Sequence, residues 1–282
     1  MSPSDVEIKK QVRDRYAQAA TTKKTCCAPV ASPCGCRRED RDQNKSSEMV
    51  GYTAGELAAV PEDANLGLGC GNPAALAGLK PGETVLDLGS GAGIDCFLAA
   101  RRVGPTGRAI VVDMTPEMLD RARENARQSG AANVEFRLGE IENLPAADGS
   151  VDVIISNSVI NLSTDKPRVF REAFRVLRPG GRLMVSDLAL KKPLPRAIRE
   201  SVEVYVACVA GALVKKDYLA AVRKAGFSGV EVLSEQAFPA ELVLDDPRVP
   251  ELTKKLKISR RELAGHVASV LSLSVRAVRP AS

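Results

Sequence analysis

The sequence predicts an α/β fold: a mostly parallel seven-stranded sheet with helices on both faces and a C-terminal extension on the ligand side. Three observations predict it. From Thr84 onward, short apolar runs alternate with amphipathic stretches, and strands of that kind must be covered on both faces. The first run, Val85-Leu86-Asp87-Leu88, ends in the glycine-rich turn Gly89-Ser90-Gly91-Ala92-Gly93, which opens a helix. About 20 residues further on, the run Ala109-Ile110-Val111-Val112 ends in the acid Asp113.

The elements follow in chain order. Ser4 to Ala20 has helical spacing at Val6, Val12, Tyr16 and Ala19, with Ser4 as a cap and Glu7 three residues on. Thr21 to Ser47 is polar and turn-rich and holds Cys26, Cys27, Cys34 and Cys36. Gly51 to Leu79 reads as loops with a short helix. Strands are expected at Val85–Leu88, Ala109–Val112, Val134–Leu138, Val151–Ser156 and Arg182–Ser186, with helices at Ile94–Arg102, Pro116–Ser129 and Lys166–Leu177. Beyond them, Val204–Val214 reads as a buried helix, Asp217–Ala225 as another helix, and Val230–Leu233 and Val270–Val278 as late strands. The stretch from Ala237 to Gly265 is expected to cap the substrate side. The chain thus divides into an N-terminal helix with a Cys-rich segment (1–50), a ligand-binding core (51–190) and a C-terminal part (191–282).

In a sheet of this kind, ligands lie beyond the carboxyl ends of the strands, where the order of strands reverses. The glycine turn, Asp113, Glu140 and Asn157 all fall at such ends. The turn reads GxGxG and not the GxGxxG of a dinucleotide site, so a nucleoside with an amino-acid tail fits better than a pyrophosphate. The cofactor this implies is S-adenosylmethionine.

Composition excludes other classes. The formal charge of +5 is mild and its basic pairs are scattered, as at Lys23-Lys24, Arg37-Arg38 and Lys254-Lys255, so no nucleic-acid surface is expected. The polar start is unlike a signal peptide, and the longest apolar run is shorter than the about 20 residues a membrane span needs. A cytoplasmic, monomeric protein with reduced cysteines is therefore expected.

Read as a whole, the core resembles class I S-adenosylmethionine-dependent methyltransferases, whose turn before the fifth strand is matched by Arg175-Val176-Leu177-Arg178-Pro179-Gly180-Gly181. The resemblance narrows to arsenite methyltransferases. It is carried by Asn65-Leu66-Gly67-Leu68-Gly69-Cys70-Gly71-Asn72-Pro73, Asp113-Met114-Thr115-Pro116-Glu117-Met118, Ser156-Asn157-Ser158-Val159-Ile160-Asn161-Leu162 and the vicinal Cys26-Cys27. It covers roughly Val12 to Gly226.

That resemblance implies roles by position. Gly89, Ser90, Gly91 and Gly93 form the cofactor turn, supported by Asp87, and Asp113 holds the ribose. Met114 and Ile141 flank the adenine, Glu140 lies near its amino group, and Asn157 meets the methionine part. Cys70 and Cys208 bind trivalent arsenic, with Cys26 or Cys27 as a mobile further thiol. A thiol reductant, glutathione or thioredoxin, is the implied co-substrate.

One position departs from the family. Ser158 stands where the family's SNCVINL stretch has a thiol, and a hydroxyl does not replace a thiolate on a soft centre. The expected consequence is weaker handling of inorganic arsenite than of monomethylated trivalent arsenic.

Other readings remain open at this point. Cys26, Cys27, Cys34 and Cys36 could supply a zinc site, though their spacing is irregular. Cys96, inside an apolar helix, reads as a small buried hydrophobe, and the single histidine, His266, as a surface or packing residue. Without a histidine base, transfer to an arsenic lone pair suits the chain better than oxygen methylation. The alternatives are a methyltransferase for a small organic acceptor, such as a quinone or phenol, and a non-catalytic thiol protein that binds metalloid.

Overall fold

The computed structural model describes residues 4–21, 43–246 and 249–281. Cys26, Cys27, Cys34 and Cys36, and with them the expected mobile thiols and the zinc alternative, lie outside the described residues.

Helix α1 (Asp5–Thr21) precedes three short helices, α2 (Gln43–Met49), α3 (Ala54–Ala58) and α4 (Pro73–Leu76). The alternating core follows: β1 (Thr84–Leu88), α5 (Ile94–Val103), β2 (Arg108–Asp113), α6 (Pro116–Ser129), β3 (Val134–Leu138), β4 (Val151–Asn157), α7 (Lys166–Val176) and β5 (Leu177–Leu190). The C-terminal part contributes α8 (Arg196–Arg199), α9 (Val202–Tyr205), α10 (Lys215–Lys224), β6 (Ser228–Ala237), α11 (Glu241–Leu244), α12 (Val249–Leu256), α13 (Arg260–Val267) and β7 (Val270–Val278).

Local chemistry sets several boundaries. α6 begins with Pro116 in its first turn, where a missing N–H costs nothing, and stops at Gly130 in a left-handed conformation. The Asp165 carboxylate accepts the Arg168 N–H and starts α7.

The seven strands form one sheet in the order β3-β2-β1-β4-β5-β7-β6. The pairs from β3 to β5 are parallel, whereas β7 runs antiparallel to both β5 and β6. The predicted α/β class is borne out. Alternate residues of the central strands feed two separate cores. Leu86, Ile110, Ile154 and Val185 pack with Phe170 on one face, and Val85, Val111, Ile155 and Met184 pack with Phe97 on the other. Burying both faces is what makes these strands almost entirely apolar.

Two expectations are corrected, while β3 at the sheet edge, only partly buried, spans Val134–Leu138 as expected. β5 is much longer than Arg182–Ser186, because β7 pairs with it from Arg182 to Leu190. The helix expected over Val204–Val214 stops at Tyr205, and the chain continues in turns with Cys208 at φ 64°. That apolar run is apolar because it packs in a third cluster with Cys70, Leu188, Leu190 and Val12, beyond the carboxyl end of β5.

Candidate active site

The turn after β1 and the acid ending β2 meet because their strands are neighbours in register, Leu88 opposite Val112. The Gly89 N–H donates to the Val112 carbonyl at 2.8 Å, and the Asp113 carboxylate accepts the N–H groups of Gly91 at 3.0 Å and Thr115 at 2.8 Å. Gly89 has φ 63°, and a Cβ there would lie 2.3 Å from Val159 Cγ2, so only glycine fits. Above the turn opens a cavity of about 1070 Å³, counting its mouth.

Most of the residues expected at the cofactor line this cavity: Asp87, Gly89, Ser90 and Gly91 from the turn, Asp113 and Met114 from the end of β2, Ile141 and Asn157. Gly93 instead caps α5 behind the turn. Glu140 stands at the rim, where its carboxylate accepts a hydrogen bond from Lys9 Nζ at 2.7 Å, while its neighbour Glu142 is buried in the wall.

The cavity is acidic at one end. Burial pushes the carboxyl of Asp87 well up, and the nearby charges of Asp95 and Asp113 push the same way. Asp95 is pushed up to about 6 by burial, against hydrogen bonds from Asn157 and Tyr52. Asp113 is raised by burial, against the N–H groups of Thr115 and Gly91. None of the three makes an ion pair among the described residues, and the buried atoms Asp87 Oδ2 and Ser90 Oγ have no hydrogen-bond partner. A buried carboxyl oxygen without a partner, as at Asp87, beside two further buried carboxyls fits a cationic ligand that also donates hydrogen bonds. S-adenosylmethionine, with its sulfonium and α-ammonium, is such a ligand.

Next to this end lies a thiol site. Asn157, the last residue of β4, joins the two. Its Oδ1 accepts the Cys70 N–H at 3.0 Å, and its Nδ2 lies within 3.0 Å of Tyr52 Oη, the Gly71 carbonyl and Asp95 Oδ2. Gly71 packs so closely that a Cβ would sit 2.6 Å from Ser186 Cβ. Ser272 Oγ donates to the Cys70 carbonyl and holds the loop from the β7 side.

Cys70 and Cys208 converge on Ser158. The Cys208 thiol donates to the Ser158 carbonyl at 3.0 Å, and Ser158 and Cys208 both lie near enough to the Cys70 thiol to act on its pKa, Ser158 lowering it and Cys208 raising it. Both cysteines are reduced and almost wholly buried. Cys208 and Ser158 are two of the three non-glycine residues with positive φ among the described residues, which marks backbone held against its preference at this place. Burial pushes the Cys208 thiol up to about 12, assisted by the Asp187 carboxyl and opposed by Tyr16 and the Lys166 ammonium. Burial likewise raises Cys70 well above its usual range, with Asp187 again adding to it. Burial thus favours the neutral thiol form of both cysteines in the ligand-free protein, because a dry site disfavours bare charge.

Several neighbours escaped the sequence reading. Asp187 is buried, accepts from Asn161 Nδ2 at 2.8 Å and from its neighbour's N–H at 2.9 Å, and is pushed up to about 7 by burial. Buried Lys166 caps the carbonyls of Asn161 and Ser163. From α1, Lys9, Val12 and Tyr16 all line the cavity. Their spacing of three and four residues places them on one helix face; Val12 and Tyr16 enter the sequence reading only as marks of helical spacing. Cys96 is fully buried inside α5, as expected of a packing residue.

No helix among the described residues is long and apolar enough to cross a membrane, and no three of their His, Cys, Asp or Glu side chains cluster as a metal site.

Residues 79–226 match the family described as a methyltransferase domain. The arsenite methyltransferase of Halobacterium salinarum is 51% identical over 230 residues, 80% of this chain and 59% of that protein. That of Rattus norvegicus is 30% identical over 284 residues, 94% of this chain and 72% of that protein. An arsenic (III) S-adenosylmethionine methyltransferase from Chlamydomonas reinhardtii has a solved structure that matches with a TM-score of 0.60 and 32% identity, covering 84% of this chain and 73% of that one. The chain spans 59% of the length of the Halobacterium relative. Fold, motifs and relatives agree, and the chain belongs to the arsenite methyltransferase family.

Proposed function

We propose that the chain transfers methyl groups from S-adenosylmethionine to trivalent arsenic held by Cys70 and Cys208, in the service of arsenic detoxification. The observation that carries this reading is the convergence of two buried sulfurs on Ser158, which itself lines the acidic cavity. S-adenosylmethionine bound there supplies an electrophilic methyl group. Asp113 would take the ribose hydroxyls, Met114 and Ile141 would flank the adenine, and Asp87 with Ser90 would face the charged tail.

The neutral thiols suit arsenic capture. Each S–H passes its proton to a hydroxyl on arsenic; an As–S bond forms, an As–O bond breaks and water leaves. No charge is created in the dry site. In the transfer itself the arsenic lone pair forms the As–C bond as the methyl–sulfur bond breaks, and no proton moves. The protein's contribution is alignment and exclusion of water. Arsenic rises from trivalent to pentavalent in that step, so two electrons must come from a thiol reductant, glutathione or thioredoxin. With Ser158 in place of a third thiol, arsenic that already carries one methyl group is the better fit for two sulfurs.

The test is turnover of S-adenosylmethionine to S-adenosylhomocysteine with arsenite or monomethylated trivalent arsenic in glutathione, with arsenic products speciated. Methylated products from either, favouring the monomethylated substrate, are expected. Cofactor binding without arsenic methylation would overturn the reading. Turnover of a quinone or phenol in that case would identify an organic acceptor, and arsenic retention without turnover a binding protein.

A further inference from the structure

The two sulfurs do not themselves line the cofactor cavity; they lie one side chain behind its wall. The Cys208 sulfur has two hydrogen-bonding neighbours, the Ser158 carbonyl at 3.0 Å and the Tyr16 hydroxyl at 3.7 Å, and both of those residues do line the cavity. Ser158 is locked into the loop after β4, with a left-handed backbone and an N–H donated to the Ser186 carbonyl at 2.9 Å. Tyr16 belongs to a different kind of element. Its helix, α1, lies across the cavity on one face: Val12 is buried in the same cluster as Cys70 and Cys208, and Lys9 reaches Glu140 at 2.7 Å and Glu142 at 3.3 Å. At its far end, Arg121 holds the Ala20 carbonyl at 3.0 Å. Tyr16 therefore borders both the cavity and the Cys208 sulfur.

We propose that Tyr16 is a positioning residue of the acceptor site: its side chain borders both the cofactor cavity and Cys208, shields that sulfur from water, and fixes it beside the cavity. This deepens the reading that Cys208 binds the acceptor, and rests on it. The hydroxyl is a neutral partner throughout, since burial and the neighbouring Cys208 and Asp113 raise its pKa well above the usual value. The contribution of Tyr16 is orientation and dryness, the terms on which a transfer without proton movement depends.

The experiment compares the full chain with Tyr16→Phe and Tyr16→Ala. The first readout needs no turnover: the rate at which iodoacetamide alkylates Cys208, followed by peptide mass mapping. Removing the ring is expected to speed alkylation at least about tenfold, and Tyr16→Phe, which keeps the ring, to stay within about threefold of wild type. The second readout is kinetic, with monomethylated trivalent arsenic as acceptor. Tyr16→Ala is expected to lower kcat about tenfold with acceptor KM unchanged or reduced, while the calorimetric Kd for S-adenosylmethionine moves less than about threefold. Unchanged alkylation in Tyr16→Ala overturns the proposal, and so does a loss of cofactor affinity that matches the loss of kcat. If the wild type methylates no arsenic, the proposed function fails, and the alkylation rates still decide whether Tyr16 covers the sulfur. Where Tyr16→Ala does not fold, Tyr16→Leu removes the hydroxyl and most of the ring cover and is read in the same way.

Discussion

The glycine turn and Asp113 come from adjacent strand ends joined by one helix, whereas Cys70, Ser158, Cys208 and Tyr16 come from four distant segments. The two regions share a wall through Asn157 yet are built on different principles. The cofactor side is held by backbone: N–H groups on a carboxylate and a turn that admits no Cβ. The thiol side is held by side chains that meet only after β5, β7 and α1 have packed. Backbone-built sites leave a local sequence signature, and side-chain-built sites do not.

If the division is real, changes on one side should leave the other nearly intact. The largest expected effect is on the thiol side. Cys70→Ser or Cys208→Ser should cut arsenic methylation at least about 1000-fold, roughly 4 kcal/mol, while the calorimetric Kd for S-adenosylmethionine stays within about threefold. Equal losses of both would break the comparison.

Next comes the cofactor side. Gly89→Ala places a Cβ 2.3 Å from Val159 Cγ2 in a left-handed backbone. It should cost about 2–4 kcal/mol in urea unfolding and weaken cofactor binding, with phenylarsine capture by Cys70 and Cys208 retained. Wild-type stability in this variant would show that the turn is softer than its packing implies.

A smaller effect sharpens the thiol side itself. Ser158→Cys supplies a third sulfur where the other two converge, and should raise the ratio of arsenite to monomethylated-arsenic turnover about tenfold, roughly 1.4 kcal/mol. No change in that ratio would mean that Ser158 does not set the preference.

The smallest effect concerns pH. Asp187 is raised to about 7 from an ordinary 3.8, so the folded protein holds a proton that the unfolded chain releases. Folded stability from this group is therefore highest below about pH 4 and falls as pH rises to about 7, beyond which it is flat. Thermal melts of Asp187→Asn should gain on wild type by about 3 °C between pH 5 and pH 8. A constant difference across that range would remove Asp187 as a titrating group.

How much of this was legible beforehand follows the same divide. Four of the five core strands, their helices and the turn were readable because parallel strands buried on both faces are plain apolar runs; β3, half-buried at the edge, was placed as well. Val270–Val278 was placed to the residue. Val204–Val214 was misread as a helix, since an apolar run packed around Cys208 has the same composition as a buried helix. Glu140 was expected near the cofactor from its place after β3 and from the resemblance; that α1 would supply Lys9 as its ion-pair partner was not legible. Tyr16 carried the helical spacing of a core residue, and spacing alone cannot say that the core beneath it is a site.

By itself, the sequence determined the α/β class, the glycine turn with the acid Asp113 at the next strand end, and the cysteines worth watching, because each is written in residues close together in the chain. Only the tertiary structure decided that Cys70 and Cys208 lie together beside Ser158, that burial pushes their thiol pKa values up, and that α1 packs against them. Those outcomes depend on which distant surfaces exclude water together, and exclusion of water is a property of packing.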